Sequence, residues 1–321
     1  MNDLRELQRL EPDFFRAPSA HNTQPWLLEY AADRVELAYD PARELPAGDP
    51  TGRDLFLSLG ALVEAVLIAA AAAGEQVGFE PAVDVDSRRV GTFRAAAARY
   101  ETPFTPADLA QRQTSRLGYA GGRLAGGDLA AAHAVLDGGA ELHELPARDV
   151  AALYVASDRH LYDSPAVVHE LRSWLRLSRR DPRYEQDGLS YECLALRRAE
   201  AAAVSLALRP RVYVAVRALG LHRAFTAATK SVLSGDGSVL VLAGEGDTPE
   251  RLLAHGRSLL RVWLALARRG LYTHPLSQIL DCPATDRDLA ARLGTAPERR
   301  LLSVFRVGRS QPPARSARLR R

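Results

Sequence analysis

The sequence predicts an α+β fold built from two like halves of one chain. Three observations point there. The chain has 321 residues and 35.0 kDa, which at roughly 150 residues per domain is two domains or one domain of two similar halves. A unit of long helix followed by a strand occurs twice. Hydrophobic residues make up 47% and charged residues 25%, the balance of a globular chain with a core to bury.

Leu4, Leu7 and Leu10 are spaced as one face of a short helix that stops near Pro12. A polar, turn-rich stretch from Ala17 to Trp26 follows. Leu27 to Tyr30 then pairs with Val35 to Tyr39 as a hairpin across Ala31–Arg34. Asp49-Pro-Thr-Gly precedes a helical pattern from Arg53 to Ala73 closed by Gly74, with Asp or Thr capping its start. That pattern is apolar nearly all round, so it belongs at the centre of the fold. Late in the chain, Asp247-Thr-Pro-Glu precedes a second helix, Arg251 to Arg269, closed by Gly270. Gly60 and Gly74 are 14 apart, as are Gly256 and Gly270; Val66 matches Val262 and Ala69 matches Ala265. A β-like run containing Phe-Arg follows each helix, Val90 to Arg94 and Leu301 to Arg306. The pattern reads as a duplication, a dimer fused into one chain, or as coincidence between Ala- and Leu-rich helices.

The middle has no counterpart in the first half. Glu170 to Arg180 sets tryptophan and leucine on a basic background, Asp181 to Gly188 reads as a loop, and a second helical stretch runs from Tyr191 to about Leu208 before Pro210. It reads as an insertion in the second unit, the usual origin of a lid.

Composition excludes several chemistries. A net charge of +3 argues against wholesale nucleic-acid binding despite a pI of about 9.0. Lys230 is the one lysine and follows Thr229, so no phosphate-binding GK[ST] loop exists and Schiff-base chemistry would rest on it alone. Cys193 and Cys282 are too few for a disulfide framework or a four-thiolate zinc site, which suits a reducing compartment. The charged N-terminal stretch carries no secretory signal, and the longest apolar run, Ala65 to Ala73, is about half a membrane span. The expectation is a cytosolic protein with no membrane partner. Neither His143-Glu144 nor His169-Glu170 has a histidine at metal-binding spacing, and no GxSxG elbow is present.

Ser238 to Gly246 begins like a dinucleotide fingerprint, but Pro249 holds the third glycine position; strand, turn and a helix capped by Asp247 is the plainer reading. Gly118 to Gly127 reads as a flexible connection. Pro18-Ser-Ala-His-Asn-Thr-Gln-Pro-Trp26 is the most specific string in the chain. It is either an ordinary Ser/Asn/Pro turn, or a turn presenting hydroxyl, amide and backbone donors to the polar edge of a planar heterocycle with Trp26 as anchor. Arg112-Gln-Thr-Ser-Arg116 is either a surface cluster or a grip on a phosphate by two guanidinium forks and intervening hydroxyls. The basic tail from Arg306 through Arg309 to Arg318 is either solvated or closes over that same phosphate.

Together these strings resemble a family. PSAHNTQPW is similar to the PSxxNxQPW signature of the FMN-dependent nitroreductases, and RQTSR to their R-x-[ST]-x-R phosphate motif. Their order, with the arginine string second, resembles the single-chain Acg-type proteins, in which two nitroreductase-like units are fused and one flavin site survives. The resemblance implies a nitroreductase-like α+β fold: a first unit over 1–108, a second over 109–321, joined as an intrachain pseudo-dimer, with a helical lid insertion at about 165–230. It implies FMN held by Pro18, Ser19, Ala20 and Asn22 from the first unit and Arg112, Thr114 and Arg116 from the second. Pro275, Leu276 and Ser277 would touch the isoalloxazine ring. Arg318, or after it Arg309, would contact the phosphate. The implied activity is an oxidoreductase passing electrons from NAD(P)H through FMN to a small organic acceptor, with no obligatory catalytic side chain. Storage of FMN under the lid is the competing reading, and oxygen-dependent breakdown of the flavin a third.

Overall fold

A computed structural model describes residues 3–137, 139–221, 233, 236–246 and 248–319. Lys230, Asp247 and the 222–230 end of the expected insertion lie outside the described residues. The fold is α+β. Strands β1 (Trp26–Tyr30), β2 (Arg34–Tyr39), β3 (Val77–Asp84) and β4 (Arg89–Ala95) form an antiparallel sheet in the order β1-β2-β4-β3. The second sheet uses β5 (Tyr119–Ala120), β6 (Glu141–Pro146), β9 (Ser238–Glu245), β10 (Tyr272–Pro275) and β11 (Arg299–Ser310); β7 (Leu175–Arg176) and β8 (Leu189–Ser190) pair separately. Its order, β6-β9-β11-β10, matches the first sheet strand for strand, all antiparallel, and β5 adds to the end of β11. The expected hairpin is present, with Trp26 opposite Tyr39 and Tyr30 opposite Val35.

Each sheet is interrupted between its second and third chain-order strands by a long helix, Arg53–Ala72 in one and Pro249–Arg268 in the other. The two helices pack on each other at their glycines. A methyl group on Gly60 would sit 2.1 Å from the Leu253 carbonyl oxygen, and one on Gly256 would sit 2.2 Å from the Leu57 carbonyl oxygen. The contact is reciprocal: each glycine meets the residue three positions before the other. Every residue from Phe56 to Ala71 is buried. Length and composition would let this helix cross a membrane, further than the Ala65–Ala73 run alone suggested, but 89% of its most apolar window is packed inside the protein. An ion pair lies at the crossing: Glu64, fully buried, accepts from Tyr100 Oη at 2.7 Å and Arg257 Nε at 2.9 Å.

Gly74 and Gly270 close the helices with φ of 83° and 71°, where a side chain would be strained. Gly52 occupies the N-cap of the first, while Asp49 Oδ2 accepts from Leu55 N at 2.8 Å. Thr248 caps the second by accepting from Arg251 N.

Three local expectations are corrected. The first helix does not stop at Pro12: a 3-10 turn over Leu4–Leu10 runs into a helix over Glu11–Phe14, because proline is tolerated in a first turn. Tyr191 to Leu208 is not one helix. It is irregular to Arg197, then helical over Arg198–Ala207, where Glu200 accepts from Arg197 N, and Pro210 opens a further helix to Ala218 instead of ending one. Gly118 to Gly127 is partly ordered: Tyr119 and Ala120 pair with the end of β11, and Gly126 starts a helix to His133.

Candidate functional site

The PSAHNTQPW string folds as a tight turn before β1. Pro18 leads in; Ser19 Oγ accepts from Gln24 N at 2.9 Å, and its carbonyl accepts from Asn22 N at 3.0 Å. His21, Asn22 and Gln24 all have positive φ, 46°, 56° and 51°. Non-glycine residues hold that conformation only where the surroundings impose it. Here the core imposes it: Ala20 N donates to Ser58 Oγ on the Arg53–Ala72 helix at 3.3 Å, and Trp26 is fully buried.

The RQTSR string leaves the helix Pro106–Gln111 and runs extended along β10. Thr114 bridges Thr273, and Ser115 N donates to the Thr273 carbonyl at 3.0 Å. The two-residue period of an extended chain puts Arg112, Thr114 and Arg116 on one face. Ser115, on the other, is fully buried and bonds Ser310 Oγ at 2.8 Å.

Arg112 is buried, lies 5.7 Å from the Trp263 ring centroid, and donates from Nη2 to the Arg16 carbonyl at 3.1 Å; its Nε has no partner. The tail returns from β11 to bring Arg318 alongside. Arg318 Nε donates to the Phe15 carbonyl at 2.6 Å, Nη2 to the Arg16 carbonyl at 3.2 Å, and Nη1 to Asn22 Oδ1 at 3.0 Å. Among the described residues, Arg16, Arg112 and Arg318 have no carboxylate partner. Burial, with repulsion from Arg16, pushes Arg112 down to about 10. Burial, with repulsion from Arg112 and Arg16, pushes Arg318 down to about 9. Arg112 and Arg318 thus donate to the Arg16 main-chain carbonyl, Arg318 also donates to the Ser316 hydroxyl at 2.6 Å, and the Arg16 guanidinium adds a third positive charge beside them. The cluster opens into a cleft of about 1010 Å³ lined by Arg16, Tyr184, Gly188, Ser190, Arg315 and Arg318, among others.

Arg116 turns elsewhere. Its Nη1 donates to the Cys193 carbonyl at 3.3 Å. It stands by His21 and His274, whose values burial and then the Arg116 charge push down to about 4 and about 3, so both rings are neutral at neutral pH. His274 is buried with Nδ1 unpartnered. Pro275, Leu276 and Ser277 follow directly: Pro275 pairs with Phe305, Leu276 N donates to the Val304 carbonyl at 2.7 Å, and Ser277 precedes the short helix Gln278–Asp281, its carbonyl accepting from Leu280 N at 2.8 Å.

The structure thus brings Asn22, Arg112 and Arg318 into one cluster, and Arg116 beside His21 and the residue preceding Pro275. Arg309 does not join them: it is exposed on β11 opposite Ala120. Asn22 is also not a spare donor, since Nδ2 already donates to the Gly188 and Ala317 carbonyls, each at 3.1 Å. Sequence reasoning missed Arg16, although it stands two residues before the signature, and missed His274, immediately before Pro275.

The geometry defines an α+β protein in which three arginines gather beside a turn of positive-φ residues. No protein-family profile matches the chain. It is 32% identical over 167 residues to "Putative NAD(P)H nitroreductase Rv3131" of Mycobacterium tuberculosis, covering 50% of this chain and 48% of that one. It is 42% identical over 65 residues to "Putative NAD(P)H nitroreductase acg" of the same organism, 20% of each chain. The match therefore spans about half the length of the first of these relatives, and less of the second. Among solved structures it is similar to the FMN-dependent nitroreductase NfnB from Mycobacterium smegmatis in complex with NADPH, with 15% identity, 64% of this chain, 86% of that chain and a TM-score of 0.37. Oxidized iodotyrosine deiodinase bound to FMN and 3-iodo-L-tyrosine gives 14%, 67%, 94% and 0.37. In sequence the chain is thus similar, over part of its length, to proteins named putative NAD(P)H nitroreductases.

Proposed function

We propose that the chain is an FMN-binding oxidoreductase of nitroreductase type that takes electrons from NAD(P)H and passes them to a small organic acceptor. One observation carries the reading: Arg16, Arg112 and Arg318 converge without a carboxylate partner among the described residues, beside the PSAHN turn. A phosphate monoester fits them, because its two charges would counter the burial, and with it the mutual repulsion, that depresses Arg112 and Arg318, and would pair the orphaned Arg112 Nε.

In this reading Arg112 and Arg318 hold the phosphate with Arg16, and Thr114 lies on the same face. Pro18, Ser19, Ala20 and Asn22 shape the adjoining wall, with Asn22 aiming Arg318 instead of donating to the ring. Arg116, with neutral His21 and His274 around it, supplies a fixed positive charge near Pro275, Leu276 and Ser277, where backbone groups would face the ring. FMN, when bound, supplies hydride acceptance and transfer. Two free, buried cysteines support a cytoplasmic, reducing setting.

We also propose that the two units, 1–108 and 109–321, are a fused dimer. The shared strand order of the two sheets and the reciprocal Gly60–Leu253 and Gly256–Leu57 contacts support this, as an isologous interface requires. The insertion would serve as the lid; the whole stretch between β6 and β9 runs over 147–237, wider than 165–230.

The test is to purify the protein, record flavin absorbance, and mix the loaded protein with NADPH and NADH in a stopped-flow instrument. Rapid bleaching by one nucleotide, followed by reoxidation with a nitroaromatic or quinone, is expected. A colourless protein that takes up no FMN on titration overturns the proposal; a yellow protein that bleaches only slowly with both nucleotides overturns its reductase half.

A further inference from the structure

We infer that Asp187 is a positioning residue for the site: buried inside the insertion, it fixes the loop 186–190 against Asn22 and so aims Asn22 at Arg318. The inference rests on the flavin reading above for its functional readout.

Asp187 and Arg176 are each only 1% exposed at the side chain. Asp187 Oδ1 accepts from Arg176 Nε at 3.1 Å and Nη2 at 2.5 Å, and Oδ2 accepts from Arg43 Nη1 at 3.2 Å. Arg43 Nη1 also reaches the Thr23 carbonyl at 2.6 Å, and Arg176 Nη1 the Ser173 carbonyl at 2.7 Å. A buried carboxylate held by two guanidinium groups has one place to be, and it ties the insertion to the turn.

The next residue makes the connection. Gly188 has φ 73°, and a methyl there would fall 2.5 Å from the Trp174 carbonyl oxygen and 2.9 Å from Arg176 Cζ. Bare of a side chain, its backbone reaches Asn22 twice: Gly188 N donates to the Asn22 carbonyl at 3.2 Å, and Asn22 Nδ2 donates to the Gly188 carbonyl at 3.1 Å. The second Nδ2 hydrogen goes to the Ala317 carbonyl at 3.1 Å. With both donors committed to carbonyls, the amide can turn only its oxygen to Arg318, and Nη1 donates to it at 3.0 Å. A second rung runs in parallel, with Gln24 Nε2 donating to the Gln186 carbonyl at 2.9 Å and Leu319 N to Gln24 Oε1 at 2.9 Å. Insertion, signature and tail thus meet on one asparagine, and Asp187 sets the part that comes from the insertion.

The experiment compares the wild type, Asp187→Asn, Asn22→Ala and the double variant by FMN titration, reading fluorescence quenching and flavin circular dichroism. Limited proteolysis of the flavin-free proteins reports release of residues 311–319. Asp187→Asn is expected to weaken FMN binding by about tenfold or more, a loss of about 1.4 kcal/mol per decade, and to expose the tail. In the Asn22→Ala background the same change is expected to add less than about twofold, because its route is gone. Should Asp187→Asn misfold, Arg176→Met with Asp187→Leu removes both buried charges together and is expected to show the same loss. Folded variants with wild-type affinity, or a full Asp187 effect without Asn22, overturn the inference. If the wild type takes up no FMN, the flavin reading fails separately; tail cleavage unchanged in Asp187→Asn then overturns the positioning role by itself.

Discussion

Replacing Gly60 with alanine tests the helix crossing most directly. The added methyl would lie 2.1 Å from the Leu253 carbonyl oxygen and 3.0 Å from Gly256 Cα, against ordinary contact at 3.4 Å or more. Both obstacles are backbone, so no rotamer change relieves the overlap, and the helices must separate by about 1 Å. Overpacking of this kind costs about 3 kcal/mol or more at its upper end. Alanine's better helix propensity returns about 1 kcal/mol, leaving a net loss of about 2 kcal/mol. In a chain of 321 residues that is a fall of about 3 °C in Tm. Gly256→Ala faces Leu57 in the same way, at 2.2 Å, and should cost a similar amount. The double variant should cost less than the sum, since one separation accommodates both methyl groups. Urea and thermal unfolding of the three variants measure this. A Gly60→Ala protein within about 0.5 kcal/mol of wild type, the range of neutral surface changes, would refute the close crossing, and strict additivity would refute its reciprocity.

Other expectations concern the site. Arg112→Ala combined with Arg116→Ala should lose the flavin on desalting; full retention would mean that the phosphate is held elsewhere. Inorganic phosphate should stabilise the flavin-free protein, by about 2.7 kcal/mol at a hundred times its Kd, and the gain should vanish in Arg112→Ala with Arg318→Ala; a wild-type Tm indifferent to phosphate counts against a phosphate site there. Acid stability should carry the signature of His274. Its folded value is about 3 against about 6.5 unfolded, so the unfolded chain binds the extra proton and stability falls as pH drops through that window. His21, at about 4, acts in the same sense. Asp49 and Asp281, raised by burial to about 7, act oppositely, because the folded chain keeps their protons between about pH 4 and 7. His274→Gln should therefore shift the acid midpoint of unfolding to lower pH, and an unchanged midpoint would show that His274 is not buried neutral.

Much of the fold was legible because its signals are local. The Arg53–Ala72 helix announces itself by an apolar run closed with glycine, and the β1–β2 hairpin by two β-like runs across a short turn. The equivalence of Gly60 with Gly256 was visible as spacing, though only the packed helices show that the two glycines touch each other's turn. The site was legible in its strings and not in its partnerships. Arg318 and Asn22 are 296 residues apart, and no periodicity says which of several tail arginines will arrive; Arg309, nearer the strand, is held outward by the register of β11 against β5. Arg16 escaped notice because one arginine among many has no pattern. The irregular stretch after Tyr191 failed as a helix prediction because the chain turns back there, with Ala195 at a φ of 59° and Leu196 N donating to the Tyr191 carbonyl at 2.9 Å, which propensity does not record.

The long return of the tail also imposes an order in time. Asn22 leaves the ribosome 296 residues before Arg318, which lies against it in the folded chain. At about 5–20 residues per second, the turn waits on the order of 15–60 seconds for its third arginine. Until Arg318 has emerged, Asn22 lacks the guanidinium group that its side-chain oxygen faces in the folded protein.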